Sequence, residues 1–106
     1  MQKEFIVYVK MARSKKMLTG VSNNMKTIIT GPSALNGFEK PGSIKIVYYE
    51  IKKSKRQAIA REKELKSFNK KKLISFIRYH NPDLLDLGKT WIEENTYFTQ
   101  NVLFLT

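Results

Sequence analysis

The apolar residues of this chain change their spacing at about residue 52, and that change constrains the fold more than any single motif. Before it stand three short runs rich in β-branched and aromatic residues: Phe5-Ile6-Val7-Tyr8-Val9, Met17-Leu18-Thr19-Gly20-Val21 and Ile44-Lys45-Ile46-Val47-Tyr48-Tyr49-Glu50. Such residues suit a pleated, half-buried surface, so each run is expected to be a strand. After it, apolar residues recur at helical spacing, first at Ala58, Ile59 and Leu65, then at Leu73, Ile74, Phe76 and Ile77. Positions three and four apart share one face of a helix.

Local signals place the ends of these elements. A short polar stretch from Ala12 to Lys16 makes the first two runs a hairpin, without an Asn-Gly or Asp-Gly pair to fix its turn. Ser22-Asn23-Asn24 offers N-cap residues for a short helix from Met25 to Ile29, and residues 31–43, with three Gly and two Pro, are expected as a loop. On the third strand, Ile44, Ile46 and Tyr48 are expected on one face and Lys45, Val47 and Tyr49 on the other. Ser54 and Gln57 have capping-box spacing for a helix to about Phe68, and Asn69 caps a second from Lys70 to Tyr79. Asn81-Pro82 ends that helix, because proline lacks a donor and restricts the residue before it. Leu84 to Asn95 is expected to hold another short helix anchored by Trp91, and Val102-Leu103-Phe104-Leu105 is an apolar tail. The order β-β-α-β-α-α predicts a small α+β domain with a three-stranded, mainly antiparallel sheet flanked by helices. The domain is expected over 1–87, with 88–106 as a C-terminal extension packed on it or in a homodimer.

Composition removes several functions. At 106 residues the chain is expected to be one domain, and no apolar run approaches the ~20 residues that span a bilayer, so no membrane partner is expected. There is no cysteine, which excludes disulfides, zinc-thiolate sites and thiol nucleophiles together. The lone histidine, His80, cannot build a multi-His metal site and follows the Ile77 face, so a packed or surface role is expected. Met1-Gln2-Lys3-Glu4 leads directly into the first strand with no signal-like apolar stretch, so a cytoplasmic setting is expected. There is no Gly-rich phosphate loop, no helical His pair and no Ser/His/Asp set at a supporting spacing.

Charge is concentrated. The net +11 divides into +5 over residues 1–51, +8 over 52–72 and −2 over 73–106. The middle block holds 10 basic and 2 acidic side chains in 21 residues, more than a mixed solubilising surface carries. It contains Lys52, Lys53, Lys55, Arg56, Lys63, Lys70, Lys71 and Lys72, and it points to a polyanion, with nucleic acid the partner expected.

One acid interrupts an apolar stripe. Glu62 follows Ala58 by four residues and Ile59 by three, and precedes Leu65 by three, so it shares their helix face. An unpaired carboxylate there costs several kcal/mol. Glu62 therefore either sits at the edge of the stripe, paired with Lys66 or Arg61, or serves as a ligand for a hard divalent cation such as Mg²⁺. Glu64 points elsewhere as a surface acid, and Tyr8, Tyr48 and Tyr49 are expected as core or cross-strand neighbours.

Taken together, Ile6-Val7-Tyr8, Leu18-Thr19-Gly20, Val21-Ser22-Asn23-Asn24-Met25, Ile46 to Glu50, Ala58 to Lys66 and Asn81 to Leu87 resemble the small stand-alone GIY-YIG nuclease domains over about residues 5–87. The segment Ala58-Ile59-Ala60-Arg61-Glu62-Lys63-Glu64-Leu65-Lys66 is the most specific part. The resemblance implies a tyrosine as general base on water, an arginine stabilising phosphoryl charge and a glutamate holding a divalent metal. Carried across, Tyr8 takes the first-motif tyrosine and Glu62 the metal ligand, with Mg²⁺ or Mn²⁺ as cofactor if the site is active and none otherwise. Two positions depart from the pattern. Leu18 replaces the second-motif tyrosine, and the arginine position falls at Thr27 or Ile28, with Lys26 nearby. The histidine often found a few residues later falls near Pro32. A lysine does not reproduce the planar fork of an arginine, and losing such a charge stabiliser costs several kcal/mol of transition-state energy. The expectation is a degenerate GIY-YIG domain that binds nucleic acid, DNA more than RNA, with little or no cleavage. The alternatives are a weak metal-dependent DNA endonuclease using Tyr8 and Glu62, and behind it a protein-interaction domain, for which Val102 to Leu105 is the hint.

Overall fold

Alternation along one central strand sorts the core of this protein into two layers. The computed structural model describes residues 4–30 and 44–95. Strand β1 (Phe5–Ala12) lies between β2 (Met17–Ser22) and β3 (Ile44–Lys52), giving the order β2-β1-β3 with both pairings antiparallel. Helices α1 (Met25–Thr30), α2 (Lys55–Ser67) and α3 (Lys70–His80) complete the expected β-β-α-β-α-α order, and residues 87–95 form a further helical segment. The protein is an α+β fold on a three-stranded antiparallel sheet.

Local chemistry explains the joints. In the β1–β2 turn, the Lys15 amide donates to the Ala12 carbonyl and the Ala12 amide to the Lys16 carbonyl, both at 2.9 Å. Lys15 takes φ 71°, the left-handed residue that closes a three-residue hairpin loop. The Ser54 hydroxyl accepts from the Gln57 amide at 3.1 Å, and the Asn69 side chain accepts from the Lys72 amide at 2.8 Å, so both helices start at the predicted caps.

Odd positions of β1 pack Val7, Val9 and Met11 against Ala58 and Leu65 of α2 and Leu73 and Ile77 of α3. Even positions place Ile6 with Met25 and Ile28 of α1 and Ile46 of β3, and Tyr8, Leu87 and Trp91 pack against that second cluster. The expected facing of β3 needs correction. Its pairing with β1 steps from Val9↔Tyr48 to Lys10↔Ile46, which leaves Val47 without a partner. The extra residue is a β-bulge that resets alternation. Val47 and Tyr48 therefore both join the α2–α3 layer, while Ile46 and Tyr49 join the other.

Two side chains secure the bulge. Asn81, buried at the end of α3, donates from Nδ2 to the Val47 carbonyl at 3.0 Å, and its Oδ1 accepts from the Leu85 amide at 3.0 Å. An Asp86 carboxylate oxygen accepts from the Ile46 amide at 3.2 Å and from the Gly88 amide at 3.0 Å, fixing the start of segment 87–95 against β3. The predicted loop over 31–43, the family-pattern position near Pro32 and the apolar tail Val102 to Leu105 lie outside the described residues. Among the described residues no helix is long and apolar enough to cross a membrane.

Candidate functional site

Tyr8 lies on the even-numbered face of β1, half-buried, directly opposite Gly20 of β2. A Cβ at position 20 would stand 2.5 Å from the Tyr8 hydroxyl oxygen and 2.7 Å from Cζ, so the glycine provides the room in which the phenol end lies. Burial, and then the charge of Glu62, push the Tyr8 hydroxyl above the ordinary phenol range. The two carried-over site residues thus share an electrostatic field although they come from separate elements. The sign matters for chemistry: a phenol pushed up keeps its proton at neutral pH and is a poor general base until positive charge is added beside it.

Glu62 occupies the predicted place on α2, between the fully buried Ala58 and Leu65, with its own side chain 21% exposed. Of the two ion pairs expected, Lys66 forms one, with Nζ 3.5 Å from Glu62 Oε2. Arg61 turns the other way. Its Nε donates to Glu50 at 2.7 Å, it also holds Glu64, and its guanidinium lies 5.3 Å from the Phe76 ring centroid. Glu50 also accepts the Tyr48 hydroxyl at 2.5 Å and lies 3.6 Å from the Lys52 ammonium. Burial works to raise the Glu50 carboxyl, but bonds from Tyr48 and Arg61 and the nearby cations outweigh it and hold it below the usual range. Tyr48 is pushed up to about 12, by burial first and by its bond to Glu50 next. This network ties α2 and β3 together, a structural use of three polar residues.

Sequence reasoning missed Lys10. It is 6% exposed, its Nζ lies 5.9 Å from the Tyr8 ring centroid, and burial lowers its pKa. The available signal was its alternation with Ile6 and Tyr8, which puts all three on one buried face. At the family pattern's arginine position, Ile28 is packed into the second core cluster while Thr27 and Lys26 are exposed. Across the sheet Lys10 pairs with Leu18, the residue at the second-motif tyrosine position.

The eight basic residues named from the sequence fall on one continuous stretch of structure. Lys52 ends β3, Lys53 leads into α2, Lys55, Arg56 and Lys63 are on α2, and Lys70, Lys71 and Lys72 form the first turn of α3. Seven of them are exposed, Lys52 being the exception, and among the described residues those seven form no ion pair. Neither helix has an acid in its first turn. The positive end of a helix dipole favours acids there by about 0.3–1 kcal/mol each, so cations at both starts oppose helix stability and add to the local positive potential. Among the described residues no three His, Cys, Asp or Glu side chains cluster as a metal site. No protein-family model, curated protein or solved structure matches the chain.

Proposed function

We propose that this protein binds nucleic acid, DNA in preference to RNA, through the cations of α2 and the start of α3, on a degenerate GIY-YIG-type domain with little or no cleavage activity. The observation that carries the reading is the run of seven exposed, uncompensated cations on Lys53, Lys55, Arg56, Lys63, Lys70, Lys71 and Lys72. All but Lys63 stand at the starts of α2 and α3, where a positive charge opposes the helix dipole, and with no internal acid paired to them their charge is available to an external anion. The resemblance to the nuclease family favours DNA. Thr27 and Ile28, between which the arginine position falls, support weak or absent chemistry, because neither offers a planar guanidinium to the phosphoryl group.

The test is a salt titration of duplex DNA binding. Neutralising five to eight phosphates gives a slope of log affinity against log salt of about −5 to −7, and Lys70→Gln, Lys71→Gln and Lys72→Gln together reduce its magnitude by about 2.7. A flat dependence overturns the reading.

The charge of Glu62, which acts on the Tyr8 hydroxyl, favours a second reading, a weak metal-dependent endonuclease. A divalent ion such as Mg²⁺ or Mn²⁺ would take a carboxylate oxygen from Glu62 and the rest of its shell from water and phosphate, and would supply positive charge beside the phenol. Under that charge the Tyr8 phenol would give up its proton to solvent, and the phenolate could then take a proton from the attacking water. Cleavage of supercoiled or branched DNA that Glu62→Gln abolishes would establish this reading. Intact substrate at high protein excess with Mg²⁺ or Mn²⁺ would end it.

A further inference from the structure

A second feature adjoins the basic stretch and shares only Lys70 with its exposed cations. A groove of about 500 Å³ opens between the β1–β2 turn, β2 and the junction of α2 and α3. Leu65 lies buried beneath it, Phe68 forms part of its wall, and four exposed lysines border it: Lys15, Lys16, Lys66 and Lys70. Lys66 pairs with Glu62, whereas Lys15, Lys16 and Lys70 form no ion pair among the described residues. Met17, half-buried against the α2–α3 layer, adds apolar wall, and Leu18, at the family pattern's second tyrosine position, also borders the groove. Phe68 is half-buried, with the Lys72 ammonium 4.2 Å from its ring centroid.

We infer that this groove takes an unpaired stretch of nucleic acid, with bases against Phe68 and the apolar wall and phosphates at the lysines. The inference rests on the proposed nucleic-acid function and narrows its substrate to one that exposes single-stranded nucleotides. An occupant must be anionic, because three uncompensated ammonium groups face it. It must also present flat apolar surface, because the half-buried Met17 and Phe68 line the space between them. Unpaired nucleotides supply both at the same repeat, and basic grooves with aromatic stacking platforms bind single strands in this way. A duplex keeps its bases stacked and paired, so it offers nothing to the wall and stays on the cations of α2 and α3, away from the hairpin-turn lysines. Lys66, Phe68 and Lys70 continue the basic stretch, so one strand running off a duplex reaches both surfaces.

The test uses the full chain with a fluorescent oligothymidylate of about 12 nucleotides and a duplex of equal length. Lys15→Asn with Lys16→Gln alters only the hairpin turn, outside the core and outside the duplex-contact residues, and asparagine tolerates the left-handed backbone at position 15. This double variant is expected to reduce the single-strand salt slope by about 1.4 and leave the duplex slope unchanged. Phe68→Leu keeps an apolar group in the fold and is expected to weaken oligothymidylate binding about tenfold, with Phe68→Tyr near wild type. Equal effects of the turn variant on both ligands, or no effect of Phe68→Leu, would overturn the inference. Binding of an acidic, leucine-rich peptide in place of the oligothymidylate, sensitive to the same turn variant, would overturn it too, since the occupant would then be a protein segment. If duplex binds with a steep slope and oligothymidylate does not bind, this inference alone falls. If neither binds, the proposed function falls with it.

Discussion

The two faces of the sheet draw on the same strand and carry different chemistry. Odd positions of β1 give Val7, Val9 and Met11, all fully buried beneath α2 and α3. Even positions give Ile6, Tyr8, Lys10 and Ala12, of which Ile6 and Ala12 are plain apolar side chains and Tyr8 and Lys10 are not. One face is closed by hydrocarbon. The other keeps a phenol against α1 and segment 87–95, with the ammonium of the buried Lys10 5.9 Å from its ring centroid. Because a strand alternates with period 2, a single eight-residue segment supplies both a core and a polar site without compromise between them.

Truncation should affect the two faces unequally, and this is the largest effect expected. Leu65→Ala removes a fully buried side chain from the α2–α3 layer and should cost about 3 kcal/mol in urea denaturation at unchanged m-value. Lys10→Met should be neutral or stabilising, since burial already disfavours the charged form of that side chain. A loss at position 10 comparable with that at position 65 would break the division between the faces.

Next in size is the bond that joins the layers at the bulge. Asn81→Ala leaves the Val47 carbonyl without its Nδ2 donor in a buried position, and a loss of about 2 kcal/mol is expected. Asn81→Asp should cost at least as much, because it removes the donor and buries a charge. If either variant is as stable as wild type, the bulge is held by packing rather than by Asn81.

What could be foreseen from the sequence divides along the same line. The element order, the Ser54 and Asn69 caps and the α3 stripe depend on neighbours within a few residues, so periodicity and capping chemistry expose them. Of the stripe expected on α2, by contrast, only Ala58 and Leu65 are buried and Ile59 is exposed. The bulge at Val47 does not show in the run Ile44 to Glu50, because it depends on a carbonyl satisfied from Asn81, 34 residues further on. The hairpin was found without its turn type, since a lysine rather than a glycine takes the left-handed position at residue 15. In the candidate site, Glu62 announced itself by interrupting apolar spacing. Lys10 did not, because a lysine near a strand end is ordinary until the burial of both faces of the sheet is known. Where Arg61 goes was equally invisible: Glu50 and Phe76 compete for it from other elements, and they win over Glu62.

A smaller effect tests how α2 is held to the sheet. The Glu50–Arg61 pair is partly exposed, so Arg61→Gln should cost about 1–2 kcal/mol at neutral pH. Glu50 titrates below its ordinary value in the folded protein. Its stabilising contribution is therefore complete above the ordinary carboxylate pKa of about 4.3 and is lost as pH falls through the lowered value. Tyr48 works at the other end. Its raised hydroxyl stabilises the fold below about 10, and that contribution is lost as pH rises through about 12. Denaturation midpoints measured across pH should fall at both limits, and Arg61→Gln should weaken the acid limb. An acid limb unchanged by that substitution would show that Glu50 is held by Tyr48 and Lys52 alone.

The smallest effect bears on the polar face itself. Glu62→Gln removes a charge that helps to raise Tyr8, so phenolate absorbance should develop at lower pH than in wild type. The transition should stay above the ordinary phenol value, because burial, the larger cause, remains. Stability should change by less than about 0.5 kcal/mol, since the Glu62–Lys66 pair lost is a surface i, i+4 contact. Tyr8→Phe identifies which tyrosine produces the shift. A moved phenolate transition with unchanged unfolding would mean that α2 acts on the polar face through charge while supporting the apolar face through packing. An unmoved transition would separate Glu62 from Tyr8 and withdraw the structural support for cleavage, while nucleic-acid binding by the cations of α2 and α3 would stand unaffected.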